Sequence, residues 1–288
     1  MNAILKLVQG SAKWHAHRAQ YRNASESAAV MGASPWLTPY QFWLVRTGRV
    51  EQVVTAPMRH GTEMEPRARA AYEAQTGLIM QPLVLTDGDY SASLDGITLE
   101  GDLLLEVKCP YKGQSSTLWQ GVVAGDVPEY YAIQIQHQLM VAGADMAHLW
   151  VFDGSDGLLL EVARDEAVMA IIRAAWDGFQ IYLDSDTPPP LTDKDTFTRD
   201  DPVWALAAVS YLNAKRKSEE ATAMLEAARE QLVAMASHPS ESGAGVTVTR
   251  FWKQGSVDYK RVPQLTGVNL DGYRGKGYCN TQLLNHAF

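Results

Sequence analysis

The chain has 288 residues, 46% hydrophobic and 20% charged, with a formal net charge of −8. That length and apolar content suit one large α/β domain, or a core with an appendage, and exclude wholesale disorder. Two cysteines, Cys109 and Cys279, exclude a disulfide framework, a CxxC zinc pair and a cysteine-held iron–sulfur cluster. No run reaches the length of a membrane span, and the opening MNAILKLVQGSAKW is too poor in apolar residues for a signal peptide. The expected setting is therefore the cytoplasm, with no membrane partner. Charge is uneven: from Trp204 to Phe288 there are 10 Lys and Arg against 7 Asp and Glu, and elsewhere 15 against 26. An acidic total does not exclude nucleic acid, because binding rests on local phosphate contacts, but charge by itself would not point to DNA.

In chain order, residues 14–32 mix helical spacing with a Ser-Glu pair, and Ser34-Pro35-Trp36 opens a second helical stretch that ends at Gly48. The alanine-rich 60–77 predicts a helix with Pro66 near its start and a stop at Gly77. Strands are expected at 81–85, 90–94 and 103–108, separated by Gly and Asp turn signals. Helix returns at 129–142, a strand at 148–153 and a long helix at 163–184, closed by the proline run 188–190. That run predicts a boundary between a core at 1–190 and an extension at 191–288. The extension should hold a helix over about 202–236, with Leu225, Ala228, Leu232 and Met235 on one face, a strand in GVTVTRFW and another near VDYKR.

The chemistry concentrates in Ser93-Leu94-Asp95-Gly96 and in Leu104-Leu105-Glu106-Val107-Lys108-Cys109-Pro110. On a strand, alternation puts Glu106 and Lys108 on one face and sends Leu105 and Val107 into the core. The continuous apolar entry from Leu103 marks a central strand covered on both faces, where a charged pair is not surface decoration. Asp95, at a turn leading toward that strand, adds a second carboxylate; by itself it could be an Asx turn before Gly96. Paired carboxylates with nearby carbonyls form a hard-oxygen site for Mg²⁺, with Mn²⁺ as a substitute. Such a metal activates water and stabilises charge on a scissile phosphate, which a lysine can also neutralise.

D-x(10)-E-V-K resembles the signature of the PD-(D/E)xK, restriction-endonuclease-like superfamily, and the S-x-D-G turn with the E-x-K-C-P strand is similar to the lambda exonuclease and YqaJ-type viral recombinase nucleases. Three further blocks resemble that family in the same order: Trp14-x-x-x-Arg18 with Ala24-Ser25-Glu26, Gly61-x-x-x-Glu65, and Tyr131-x-x-Gln134-x-Gln136. The resemblance covers about 1–185. It implies an α/β fold with a mixed central sheet flanked by helices, followed by a helical and β C-terminal extension. Glu65, Asp95 and Glu106 would be metal ligands assisted by the Val107 carbonyl, and Lys108 the catalytic lysine. Gln134 would place Lys108 or the attacking water, and Tyr131 would line the pocket. Arg18, Ser25 and Ser93 would bind a terminal 5′-phosphate.

The implied activity is metal-dependent 5′-to-3′ hydrolysis of double-stranded DNA from a 5′-phosphorylated end to mononucleotides, leaving a 3′ overhang for phage-type recombination. The resemblance also implies a single-strand annealing partner, a ring-shaped trimer and a phage or prophage setting in a bacterial host. An endonuclease on the same scaffold, or a non-catalytic DNA-end binding protein, are the alternatives. Each residue also has a plainer reading: Glu65 as an acid near a helix start, Gln134 and Gln138 as a solvent-facing stripe beside Tyr131, Arg18 as a surface arginine, Trp14 as core packing, His15 and His17 as surface residues and Cys109 as a small buried residue. In the tail, Arg250, Lys253, Lys260, Arg261, Arg274 and Lys276 interleave with aromatics, a pattern that fits either DNA contact or a small β-subdomain.

Overall fold

The computed structural model describes residues 3–250. The chain divides into two compact units, Met1–Phe197 and Thr198–Phe288, so the break falls just beyond the proline run. The first unit runs β1 (Ala3–Leu5), α1 (Ala12–Arg18), β2 (Arg22–Asn23), α2 (Ser27–Val30), α3 (Pro39–Arg46), α4 (Ala56–Thr76), β3 (Leu83–Asp87), β4 (Tyr90–Leu94), β5 (Gly96–Ile97), β6 (Leu103–Lys108), α5 (Thr117–Val123), α6 (Glu129–Ala142), β7 (Met146–Phe152), β8 (Gly157–Ala163) and α7 (Glu166–Asp184). Its strands form two four-stranded ladders, β1-β3-β4-β2 and β5-β6-β7-β8. Both are mixed: β2 pairs parallel with β4, β6 parallel with β7, and the other pairs are antiparallel. Parallel β6 and β7 need a crossover, and α5 with α6 supplies it.

β6 is covered on both faces. Leu105 and Val107 pack with Ala68 and Tyr72 of α4 and with Trp150 of β7. Leu104, pointing the other way, joins the larger core with Ile135 and Leu139 of α6. Glu106 and Lys108 share Leu104's side of the strand, so the ionic pair faces α6. The α6 side also holds a buried polar knot. His137 Nδ1 lies 2.6 Å from Ser27 Oγ, which accepts a bond from Trp176 Nε1 at 2.9 Å, tying α6 to α2 and α7. Burial pushes the His137 imidazole down to about 3, so it sits in the core uncharged.

Several elements differ from the sequence reading. The helix expected at 60–77 begins at Ala56, where Thr55 accepts the Met58 amide at 3.4 Å. Pro66 is therefore inside the helix, and Glu65 lies well past the first turn, so the helix-start reading of Glu65 is corrected. β8 replaces the start of the helix expected at 163, which begins at Glu166 behind the Asp165 cap. The apolar run of β8 pairs with β7 along its whole length, a partnership that local periodicity does not reveal.

The second unit is described by itself. α8 (Pro202–Met235) starts at Asp201, whose side chain accepts the Trp204 amide at 2.9 Å. The hairpin of β9 (Ser240–Gly243) and β10 (Val246–Thr249) turns through Ala244 and Gly245, both at positive φ. Arg250 donates to the carbonyls of Val233 and Ala236, each at 2.9 Å, and closes the helix C-terminus. The strand expected in GVTVTRFW is described as far as Thr249; the strand near VDYKR and the basic and aromatic residues beyond Arg250 lie outside the described residues.

Gly96 allows β5 to pass under Met80. A Cβ there would stand 2.6 Å from Met80 Cβ and 3.2 Å from Leu105 Cβ. Gly96→Ala should lower stability by about 1–3 kcal/mol through overpacking, read as an earlier chemical-denaturation midpoint; an unchanged midpoint would mean that the strand shifts freely.

Candidate active site

Asp95 occupies the single-residue step between β4 and β5, where the chain passes from one ladder to the other. The β5–β6 register ends at Gly96 and Leu105, and the Val107 amide donates instead to Asp95 Oδ2 at 2.7 Å. The Asp95 side chain thus extends the ladder that its backbone leaves, and this bond holds the carboxylate beside β6.

Glu106 is 2% exposed. Gln134 Nε2 donates to its Oε1 at 2.7 Å and Gln138 Nε2 to its Oε2 at 2.6 Å. Lys108 Nζ makes an ion pair with the same Oε1 and lies 4.7 Å from the centre of the Tyr131 ring. Burial works against the lysine charge, but Glu106, then Tyr131 and Asp95, outweigh it and hold the ammonium above the ordinary lysine range. Burial also raises the Tyr131 hydroxyl, against the pull of Lys108.

Glu65 reaches this group from α4. Its Oε1 lies 3.3 Å from Arg69 Nη1, and the same guanidinium nitrogen donates to the Asp95 carbonyl at 2.8 Å. Burial raises the Glu65 carboxyl, opposed by Arg69 and reinforced by Glu106. Asp95 is pushed well above the usual carboxylate range by burial, then by Glu106 and Glu65. Burial and the neighbouring carboxylates thus act in the same direction on Glu65 and Asp95. Among the described residues no three His, Cys, Asp or Glu side chains converge into a ready-made metal cage; Lys108, Arg69 and the two glutamines hold the acids. Burial, with Asp95 and Glu65, pushes the Cys109 thiol up to about 12, in keeping with a neutral packing residue.

The second group of predicted residues also meets. Arg18 Nη2 donates to Ser25 Oγ at 3.0 Å and to Glu26 Oε1 at 2.7 Å, and its guanidinium lies 4.7 Å from the centre of the Trp14 ring. Trp14 Nε1 donates to Ser93 Oγ at 3.0 Å, so Trp14 joins Arg18 to Ser93. Trp14 is half-buried and bonded, not core packing as its sequence context indicated. His15 is exposed, whereas His17 is half-buried, with Nε2 2.8 Å from Ser91 Oγ and its ring stacked on Tyr21.

Sequence reasoning left Gln138, Arg69 and Glu26 without roles. The stripe of Gln134 and Gln138 faces a buried carboxylate, not solvent; the signal was that both follow Tyr131 on the face of a helix otherwise rich in buried residues. Arg69 was legible as the i+4 partner of Glu65. Gln138→Met keeps the side-chain volume but leaves Glu106 one buried donor short. The expected loss is about 1.5–3 kcal/mol in denaturant unfolding; a variant as stable as the parent would show that this bond is dispensable.

Comparison with known proteins places the geometry. Residues 13–145 match the model of the YqaJ-like viral recombinase domain. The uncharacterized protein YqaJ of Bacillus subtilis (strain 168) is 22% identical over 173 residues, which cover 57% of this chain and 53% of that protein; the match thus spans about half the length of this relative. The crystal structure of an alkaline exonuclease from Laribacter hongkongensis superposes with a TM-score of 0.53 at 27% identity, over 61% of this chain and 94% of that one. The same exonuclease in complex with dAMP gives 0.53 at 26%, over the same shares. Residues 13–145 are thus similar to the YqaJ-like viral recombinase domain, and the chain shares the restriction-endonuclease-like fold of an alkaline exonuclease.

Proposed function

We propose that the chain is a DNA exonuclease that hydrolyses double-stranded DNA 5′-to-3′ from a 5′-phosphorylated end, releases mononucleotides and leaves a 3′ overhang for recombination in a phage-infected or lysogenic cell. The observation that carries this reading is the meeting of Glu106, Lys108, Asp95 and Glu65 around one strand end, with Gln134 and Gln138 behind it. The likeness to an alkaline exonuclease, one of whose structures holds the mononucleotide dAMP, supports both the reaction and its product.

The chemistry of the donors suits a hard divalent cation: Glu65 and Asp95 carry carboxyls that burial and the Glu106 charge make ready to accept a positive charge, and by family resemblance Glu106 and the Val107 carbonyl would complete the set. Bound Mg²⁺, or Mn²⁺ in its place, would supply an activated water and neutralise charge on the scissile phosphate. The chain's own groups do the rest. Lys108, kept charged by Glu106, would set an ammonium against the phosphate oxygens. Gln134 and Gln138 fix both oxygens of Glu106, so the carboxylate keeps one orientation. The Tyr131 ring walls the lysine on one side.

The Arg18, Ser25 and Ser93 group would take the terminal phosphate. Arg18 offers a cationic fork, and the serine hydroxyls add neutral donors. Glu26 already bonds this arginine and lies 3.5 Å from Arg46, which fixes the fork's direction and offsets part of its charge. DNA ends and a single-strand annealing protein would be the partners, and a homo-oligomer, a ring trimer by family resemblance, the working form.

End-labelled duplexes bearing a 5′-phosphate or a 5′-hydroxyl, with Mg²⁺, test the proposal in one assay. The parent should release mononucleotides and favour the phosphorylated end. Lys108→Ala should lose about 10²–10³ in rate with an unchanged melting curve. Arg18→Ala should lose about 10- to 150-fold of end preference, from a charge-assisted contact of roughly 1.5–3 kcal/mol, while still cutting slowly. Normal hydrolysis by folded Lys108→Ala would overturn the site. Internal cutting of an end-blocked duplex would overturn the exonuclease reading, and an unchanged end ratio would remove Arg18 from the pocket.

A further inference from the structure

α8 spans 34 residues, about 51 Å at the usual helical rise, and buries none of them. Trp204, Leu225 and Met235 are 54%, 66% and 70% exposed, which is unusual for large apolar side chains on one element. Their spacing is ordered. Every seventh residue from Trp204 to Leu232 reads Trp, Tyr, Ser, Leu, Leu, and three residues further on the same count gives four alanines and then Met235. This is a heptad repeat with one large and one small row, the seam of a coiled coil.

We propose that α8 pairs antiparallel with α8 of a second copy of this chain. Side-chain size selects the direction. In an antiparallel pair each residue of one row meets the other row of the partner: Leu225 against Ala214, Leu232 against Ala207, Tyr211 against Ala228 and Trp204 against Met235. Each large residue then faces a small or flexible one, and the layers that pair small with small, Ser218 with Ala221, fall together at the centre, where the helices can approach most closely. A parallel pair stacks Trp204 on itself and alternates bulky layers with Ala–Ala layers, forcing voids or uneven spacing.

Charge selects the same direction. The half from Pro202 to Ser218 carries Lys215, Arg216 and Lys217 and no acid; the half from Glu219 to Met235 carries Glu219, Glu220, Glu226 and Glu230 against Arg229. Antiparallel pairing sets the basic half against the acidic half, and parallel pairing sets like on like. Local ion pairs such as Lys215 with Glu219 at 3.8 Å and Arg229 with Glu226 at 3.2 Å are exposed and leave the seam unobstructed. Val203, Leu206, Val209, Leu212, Met224 and Val233 are exposed but lie off the two rows, and this pairing does not explain them. The seam owes nothing to the nuclease site, so the inference stands or falls separately from the proposed reaction.

Disulfide trapping in the full chain tests the direction. In a background with Cys109→Ser and Cys279→Ser, Ala207→Cys and Leu232→Cys chains carrying different tags are oxidised separately and after co-expression. The expected result is a mixed disulfide of the two variants, several-fold more abundant than either self-linked dimer, whatever the core itself assembles into. Self-linked dimers of each variant without the mixed species would show a parallel pair and overturn the proposal. Absence of all three species would mean that the seam is covered within its own chain, and would overturn it too. Sedimentation of Leu225→Glu supplies a check free of introduced cysteines: it should be lighter than the parent at the same concentration, and equal masses would refute self-pairing through α8.

Discussion

Glu106 sets the terms for this site. A carboxylate almost wholly removed from water on a central strand is tolerable when donors and positive charge meet it from within the protein. Lys108 meets it from two residues along the same strand, and Gln134 and Gln138 meet it from α6. Those two amides need α6 to cross β6 at one height and one rotation. The crossover between parallel β6 and β7 puts α6 on that face, and Ile135 and Leu139 pack it down. Burial of the carboxylate and placement of the helix are one constraint seen from two sides.

Asp95 is the second fixed point. It lies where two ladders part, and its carboxylate accepts the Val107 amide in place of a strand bond. Gly96 beside it leaves no room for a Cβ under Met80, so the turn and the acid are set together. Arg69 then binds both Glu65 and the Asp95 carbonyl, bringing α4 to the same strand end from the opposite face. A ladder junction, a helix and a strand each deliver one acid, and burial, reinforced by the neighbouring carboxylates, raises the proton affinity of Glu65 and Asp95.

Much of this was legible in the residues because the central signals are local. Alternation put Glu106 and Lys108 on one face of 103–108, and the strand has those bounds. The helix at 129–142 also kept its bounds, since Pro128 and Gly143 punctuate it. Other features depend on partners far along the chain. The stripe of Gln134 and Gln138 looked solvent-facing because nothing local shows that a buried acid lies opposite. β8 was missed because its partner, β7, is what makes an apolar run a strand. Glu65 looked like an acid near a helix start because the earlier Thr55 cap was not recognised. Trp14 looked like core because its bond to Ser93 spans 79 residues.

The central claim is that the three acids act together on a cation, with Glu106 at the centre. Titration of the full chain with Mn²⁺, followed by calorimetry and by the spin resonance of the free ion, tests it without reference to activity. The predicted result is saturable binding by the parent that weakens about tenfold or more in Glu106→Gln and in Asp95→Asn, with melting transitions preserved. A parent that binds no Mn²⁺, or a folded Glu106→Gln chain that binds it as tightly as the parent, would contradict the account.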